Sequence, residues 1–390
     1  MQTDTAKLGE LKLKEDEDVM LYSTDGNVIS IAEFVQKNIG VLTSLEQRIV
    51  REQIDGLASS IPEHLTVPLL RTQKYANSDL EIQAKRAGAR SAYIQDLGLK
   101  VKGCRPENTT FPEWGIDDEF NVRVDEVPFG VLTKEGVMRE ILAYCFMRKY
   151  HLPYSAEPVA VFEYKPQGRP MNFALVASVG DDTRLESLID CHGYSVGDII
   201  KLKKEGRLGV EPDVWLGNVD LVDYPVRKAE LLAKFNFNGG FRGILNSNIG
   251  NDVVRDDELF SICDFDTFRV VPIPQKNDKE GIRNFIIHCY TELIKSSTPF
   301  VDYIEFTDET KEQIHGTLAD YYRQHSYLCQ AYNCKVRYQA RIRGWDSAHV
   351  ETCINDAFKT AVSFELLQEL IPNSFTLRNF KAESYYVPHN

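Results

Sequence analysis

An α+β protein is predicted, with a small strand-rich lobe followed by a larger helical one. Three observations carry this expectation. Short β-prone runs broken by Gly and Pro crowd between residues 80 and 180, and one strongly periodic helix interrupts them. Beyond Gly180 the pattern is mainly helical, apart from a glycine- and asparagine-rich break at 238–252.

Taken in order, the elements justify themselves locally. Residues 1–80 read as a helical accessory segment, with helices predicted over 31–38 and 44–58. Ser30 followed by Glu33 has the form of a capping box, and Thr43 or Ser44 is the cap candidate for the second helix. Residues 81–180 form the strand-rich lobe: 91–94 and 97–101 fit a hairpin, and 158–164 and 172–179 fit two further strands. Between the pairs, Val137, Met138, Ile141, Leu142, Cys145 and Phe146 recur at helical spacing, so a helix is predicted over 133–150. Residues 181–390 form the helical lobe, with helices expected over 183–191, 195–204, 216–236, 280–296, 308–330 and 348–370. A short hairpin of 253–254 and 259–263 follows the glycine-rich break.

Composition bounds the function. The 390 residues are 43% hydrophobic and 26% charged, enough to bury a substantial core. A net charge of −13 gives weak long-range attraction for phosphate backbones or anionic lipid, so neither nucleic acid nor membrane is an expected partner. The eight cysteines contain no Cys-x-x-Cys pair, and the eight histidines no His-x-x-x-His, which argues against disulfide scaffolds and zinc hydrolases. The N-terminus lacks the apolar core of a secretory signal, and a cytoplasmic location is expected.

Two constellations could carry chemistry. Alternation along 99–102 sends Lys100 and Lys102 to one strand face and Leu99 and Val101 to the other. Alone, Lys102 reads as a solvated strand lysine, and Glu140 as an exposed helical glutamate. Together they make a strand lysine and a helix carboxylate able to fix an ammonium against a phosphate. The second constellation joins Asn248 to Asp264, sixteen residues apart with a hairpin between. An amide oxygen and a carboxylate are hard ligands suited to Mg²⁺; a self-bonded Asn/Gly turn is the other reading of that loop.

The order Lys…Glu…Asn…Asp-Phe-Asp resembles the protein-kinase-like superfamily, and most of all the selenoprotein O type protein adenylyltransferases. Val101-Lys-Gly-Cys104 resembles that family's strand lysine, 136–143 its glutamate helix, 243–248 its asparagine loop, and Asp264-Phe-Asp266 its metal motif. The likeness spans roughly residues 85–300. It implies a bilobal protein-kinase-like fold with ATP and Mg²⁺ between the lobes, near 179–183. Lys102 and Glu140 would serve the phosphates, with Gly88 and Asn246 also at the nucleotide, and Asn248 and Asp264 would hold metal. AMP transfer to a protein hydroxyl leads; phosphoryl transfer to a protein or small molecule and a catalytically silent scaffold are the alternatives. The departures are Ser247 where the family has an Asp, no G-x-G-x-x-G, and no selenocysteine tail. The general base is therefore open between Asp266 and Asp252.

Overall fold

The structure, a computed structural model, describes residues 18–23, 26–58, 69–70, 81–86, 91–104, 110–116, 122–128, 130–164, 172–179, 183–184, 224–242, 252–254, 260–297 and 327–370. The strands of the first half are β1 (Asp18–Ser23), β2 (Gly26–Ser30), β3 (Leu69–Leu70), β4 (Glu81–Arg86), β5 (Ser91–Ile94), β6 (Leu99–Lys102), β7 (Thr110–Ile116), β8 (Val122–Pro128), β9 (Ala156–Tyr164) and β10 (Asn172–Val179). Five short strands follow: β11 (Thr183–Arg184), β12 (Gly240–Phe241), β13 (Asp252–Val254), β14 (Phe260–Ile262) and β15 (Arg269–Val270). The helices are α1 (Ile31–Asn38), α2 (Ser44–Gln53), α3 (Lys134–Lys149), α4 (Tyr224–Asn236), α5 (Lys279–Ser297), α6 (Tyr327–Ile342) and α7 (Ser347–Leu370). The architecture is α+β.

Eight antiparallel strands form the main sheet in the order β2-β9-β10-β6-β5-β4-β1-β3. β1 and β2 stand first to last but one in that order, yet only two residues separate them in sequence. The three peptide links from Ser23 to Gly26 reach about 11 Å at most. Six spacings of a flat sheet would need roughly 29 Å. The sheet must therefore curl until β1 and β2 meet. Its inner face carries Ala84, Ala92, Ala160 and Ala174 among Leu99, Val101, Phe162 and Val176, small side chains that suit a tight curl.

The outer face, through Val161, Phe173 and Leu175, shares a core with α1, α2 and α3. That same core takes in Phe265, Phe268 and Val270. A second core is built by α4, α5, α6 and α7, with Phe241 of β12. Trp345 is buried at the α6–α7 turn, where Gly344 takes φ +67° and the Trp345 N–H reaches the Ala340 carbonyl at 3.0 Å.

Several local expectations meet the structure directly. Ser30 caps α1 by accepting from the Glu33 N–H at 3.2 Å. The reciprocal capping box lies instead at Thr43, whose N–H reaches Glu46 Oε2 at 2.9 Å while its hydroxyl accepts from the Glu46 N–H at 3.4 Å. The predicted hairpin is β5–β6, joined through a turn in which Gly98 adopts φ +60°. Its second strand begins at Leu99 rather than 97, because Gln95–Leu97 form a 3₁₀ turn.

Other expectations are corrected. Residues 1–80 are not simply helical, since β1, β2 and β3 join the main sheet. The helix predicted over 183–191 fails at its start: Thr183 and Arg184 are β11, paired with Val254 and Val253. Partners seventy residues away decide that, and local periodicity carries no trace of them. Of the helix predicted over 216–236 the described part is α4, and of that over 308–330 only 327–330 are described, as the start of α6; 216–223 and 308–326 lie outside the described residues. The hairpin β7–β8 was not foreseen. Residues 195–204 lie outside the described set.

Candidate functional site

The site begins with the pleat of β6. Leu99 and Val101 are buried on the inner face, which turns Lys102 outward toward α3. Gly103 then takes φ +90°, and a Cβ there would sit 2.6 Å from the Phe173 carbonyl oxygen and 2.9 Å from the Leu132 nitrogen. That close approach lets Leu132 and Phe173 exchange two backbone hydrogen bonds, at 3.1 and 3.2 Å. The pairing fixes where α3 starts. Thr133 caps the helix by accepting from the Gly136 N–H at 3.0 Å, and Glu140 follows near the middle.

The ammonium of Lys102 donates to Glu140 Oε1 and to Asp264 Oδ1, and lies 3.9 Å from Asp266 Oδ1. Glu140 Oε1 also accepts the Phe265 N–H at 3.0 Å, so the helix carboxylate grips the Asp-Phe-Asp turn as well as the lysine. Asp264 is in the left-handed region at φ +67°. This costs a non-glycine residue roughly 1 kcal/mol, least for Asp and Asn, and such strain concentrates at functional sites. Phe265 is the anchor that holds the turn in that state. Its ring lies 6.2 Å from Phe235 and 5.9 Å from Phe268, and Phe146 of α3 meets both of those at 5.4 and 5.2 Å.

Carboxylate oxygens of Glu140, Asp264 and Asp266 can all lie within 4.8 Å of one another. These three carboxylates and the Lys102 ammonium together carry a formal charge of minus two, and their side chains are only 12–19% exposed. A hard divalent cation with oxygen preference is the ion that such a donor set fits.

The structure thus brings together Lys102, Glu140, Asp264 and Asp266 from three separate stretches of the chain. Gly88, Asn246, Ser247 and Asn248 lie outside the described residues, as does the side chain of Asp252.

Four further residues, all buried, were not singled out in the sequence: Glu46, Arg139, Arg242 and Glu292. Glu292 Oε1 accepts the Arg242 N–H at 2.5 Å, its Oε2 accepts from Asn236 Nδ2 at 2.8 Å, and Tyr332 donates to Asn236 Oδ1 at 2.7 Å. The Arg242 carbonyl accepts from the Thr267 hydroxyl, which ties the entry of the asparagine loop to the residue after Asp266. The Arg242 guanidinium is wholly buried and has no hydrogen-bond partner among the described residues. The one signal available in the sequence was a charged residue inside the Gly-Gly-Phe-Arg-Gly run.

No protein-family model matches the chain, and no curated protein matches it. Among solved structures, WaaP in complex with acyl carrier protein aligns at 10% identity over 86% of this chain and 99% of its own, with a TM-score of 0.31. A glucosamine kinase in complex with glucosamine, ADP and inorganic phosphate aligns at 11% identity over 72% of this chain and 69% of its own, with a TM-score of 0.28. At such scores neither superposition establishes a shared fold. No helix among the described residues is long and apolar enough to cross a membrane.

Proposed function

We propose that the chain is an ATP- and Mg²⁺-dependent transferase with a protein-kinase-like site. One observation carries the reading: a single ammonium, Lys102, is held between a helix carboxylate and a loop carboxylate that reach it from positions 140 and 264. Glu140 orients the lysine and, through the Phe265 N–H, the turn that carries Asp264. In this reading Lys102 contacts the nucleotide phosphates. Asp264 would hold the cation, with Asn248 expected to join it. Mg²⁺ bound with the phosphates supplies neutralisation of the charge that develops on the group in transfer. Asp266, 3.9 Å from Lys102 Nζ, is the described carboxylate placed to take the acceptor's proton, since the family's loop Asp is replaced by Ser247.

The transferred group is adenylyl on the sequence resemblance, and γ-phosphoryl in the ordinary use of such a constellation. The acceptor is a protein or small-molecule hydroxyl. Purified protein, Mg²⁺ and ATP labelled at either the α- or the γ-phosphorus distinguish the readings, with mass spectrometry of the product. Retained α-label identifies adenylylation, and γ-label without α-label identifies phosphorylation. ATP bound with neither label transferred identifies a scaffold. Absence of any ATP binding in the presence of Mg²⁺ overturns the proposal.

A further inference from the structure

Glu46 lies outside the span of the family resemblance, in the N-terminal accessory segment, and it is 1% exposed. Buried carboxylates are costly unless their oxygens are fully used. Those of Glu46 are used by three different elements. Oε2 accepts the Thr43 N–H at 2.9 Å within its own helix cap. Oε1 accepts from Arg139 Nη1 of α3 at 2.5 Å and from the Val270 N–H of β15 at 3.1 Å.

The two external partners are those that matter to the site. Arg139 directly precedes Glu140, and successive helix positions point about 100° apart, so Arg139 holds the back of the helix while Glu140 faces Lys102. Val270 lies six residues beyond Asp264, on the strand that pairs with Gly240 of β12. A single oxygen therefore ties the helix carrying Glu140 to the strand leaving Asp264-Phe-Asp266. Ile49 and Val50 of α2 share one core with Val137, Ile141, Phe265 and Val270, which keeps that carboxylate in register.

We infer that Glu46 is a positioning residue: the N-terminal segment, through this one carboxylate, sets the relative placement of Glu140 and Asp264 and so the competence of the site. This rests on the transferase reading for its consequence and on the three contacts for its geometry. A carboxylate that only filled a buried gap would need neither the second acceptor contact nor a partner adjoining Glu140.

The test uses the full chain and Glu46→Gln, which keeps the shape and one acceptor oxygen but removes the charge. Amide exchange is followed by mass spectrometry, and the unfolding midpoint is measured with and without Mg²⁺ and ATP. Exchange in α3 and across 268–271 is expected to rise by ~10-fold or more, with α5 in the other core unchanged. The nucleotide-dependent rise in midpoint is expected to fall by about half or more. Equal lowering of the midpoint with and without nucleotide would mean a structural role only and would overturn the inference, as would unchanged exchange in α3 and β15. If wild type shows no nucleotide-dependent rise, the transferase reading fails, and the exchange arm alone decides whether Glu46 couples the two elements. Should Glu46→Gln not fold, Arg139→Gln carries the same measurements, because it breaks the coupling from the other side while Glu46 keeps its two backbone donors.

Discussion

Replacing Lys102 by Met removes the ammonium that lies among three carboxylates whose oxygens lie within 4.8 Å of one another. At that separation each like-charged pair repels by about 3.5 kcal/mol if the effective dielectric constant is near ~20. Removing one member of a buried ion pair costs about 3–5 kcal/mol in general. These side chains retain 12–19% exposure, so solvent takes up part of the loss and the lower end, about 3 kcal/mol, is appropriate. For a chain of this length that is a fall in melting temperature on the order of 5 °C without divalent cation. The formal charge of the cluster moves from minus two to minus three, so Mg²⁺ alone should restore more stability to Lys102→Met than it adds to wild type. ATP, deprived of its lysine, should add little beyond Mg²⁺. Differential scanning calorimetry with Mg²⁺, with Mg²⁺ and ATP, and with neither reads all three expectations. Equal Mg²⁺ stabilisation of wild type and variant would refute the reasoning, because the cation would then not be sensing this cluster's charge.

Asp264→Asn should remove most of the Mg²⁺-dependent part of the ATP-induced thermal shift, which for a ligand at ~100 Kd amounts to about 2.7 kcal/mol; an undiminished shift counts against Asp264 as a metal ligand. Gly103→Ala places a Cβ at 2.6 Å from a backbone oxygen at φ +90° and should cost about 2 kcal/mol or more in chemical denaturation, where a change within ~0.5 kcal/mol would contradict the packing described. Hydrogen bonding to Arg337 holds the Glu351 carboxyl below its ordinary value. That contribution is present above the unfolded-state value and is lost as pH falls through the folded one, so the stability gap between wild type and Arg337→Met should close on acidification; a gap that persists unchanged at low pH argues against the pair. Burial pushes the Cys145 thiol up to about 12 and raises Cys289 as well, whereas Cys334 is exposed. Thiol labelling of the native protein at neutral pH should accordingly modify Cys334 well before Cys145 or Cys289, and early modification of Cys145 would contradict its burial.

The parts of the site that could be read in the sequence were those whose signals are local. Alternation along 99–102 gives the face of Lys102, and helical periodicity over 133–150 places Glu140 on an element packed against the strands. What could not be read depends on partners distant in sequence. The periodicity of α3 implies one exposed face, yet the helix is buried almost all round from Gly136 to Met147, because α1 and α2 cover the side away from the sheet. Glu46 carried no signal of its own in the sequence: its role beyond the Thr43 cap depends on Arg139 and Val270, which lie 93 and 224 residues away. The strands β1 and β2 are short and flanked by acidic residues, so only their pairing with β4 and β9 makes them strands. The left-handed turn at Asp264 is likewise imposed, by the anchoring of Phe265 and by Glu140.

The curled sheet has a consequence for how the chain avoids unwanted company. A strand with one side unpaired presents a row of open N–H and C=O groups that invites addition of a strand from another molecule. Here the stretch from Asp18 to Ser30 lies along both β4 and β9, so one short run of backbone shields two flanks that a flat sheet would leave bare. Cutting the chain just before α1 would strip both at once and leave β4 and β9 as templates for intermolecular pairing. Self-association, rather than simple loss of stability, is then the failure expected of a shortened chain. The strands β1 and β2 therefore act on solubility as well as on shape.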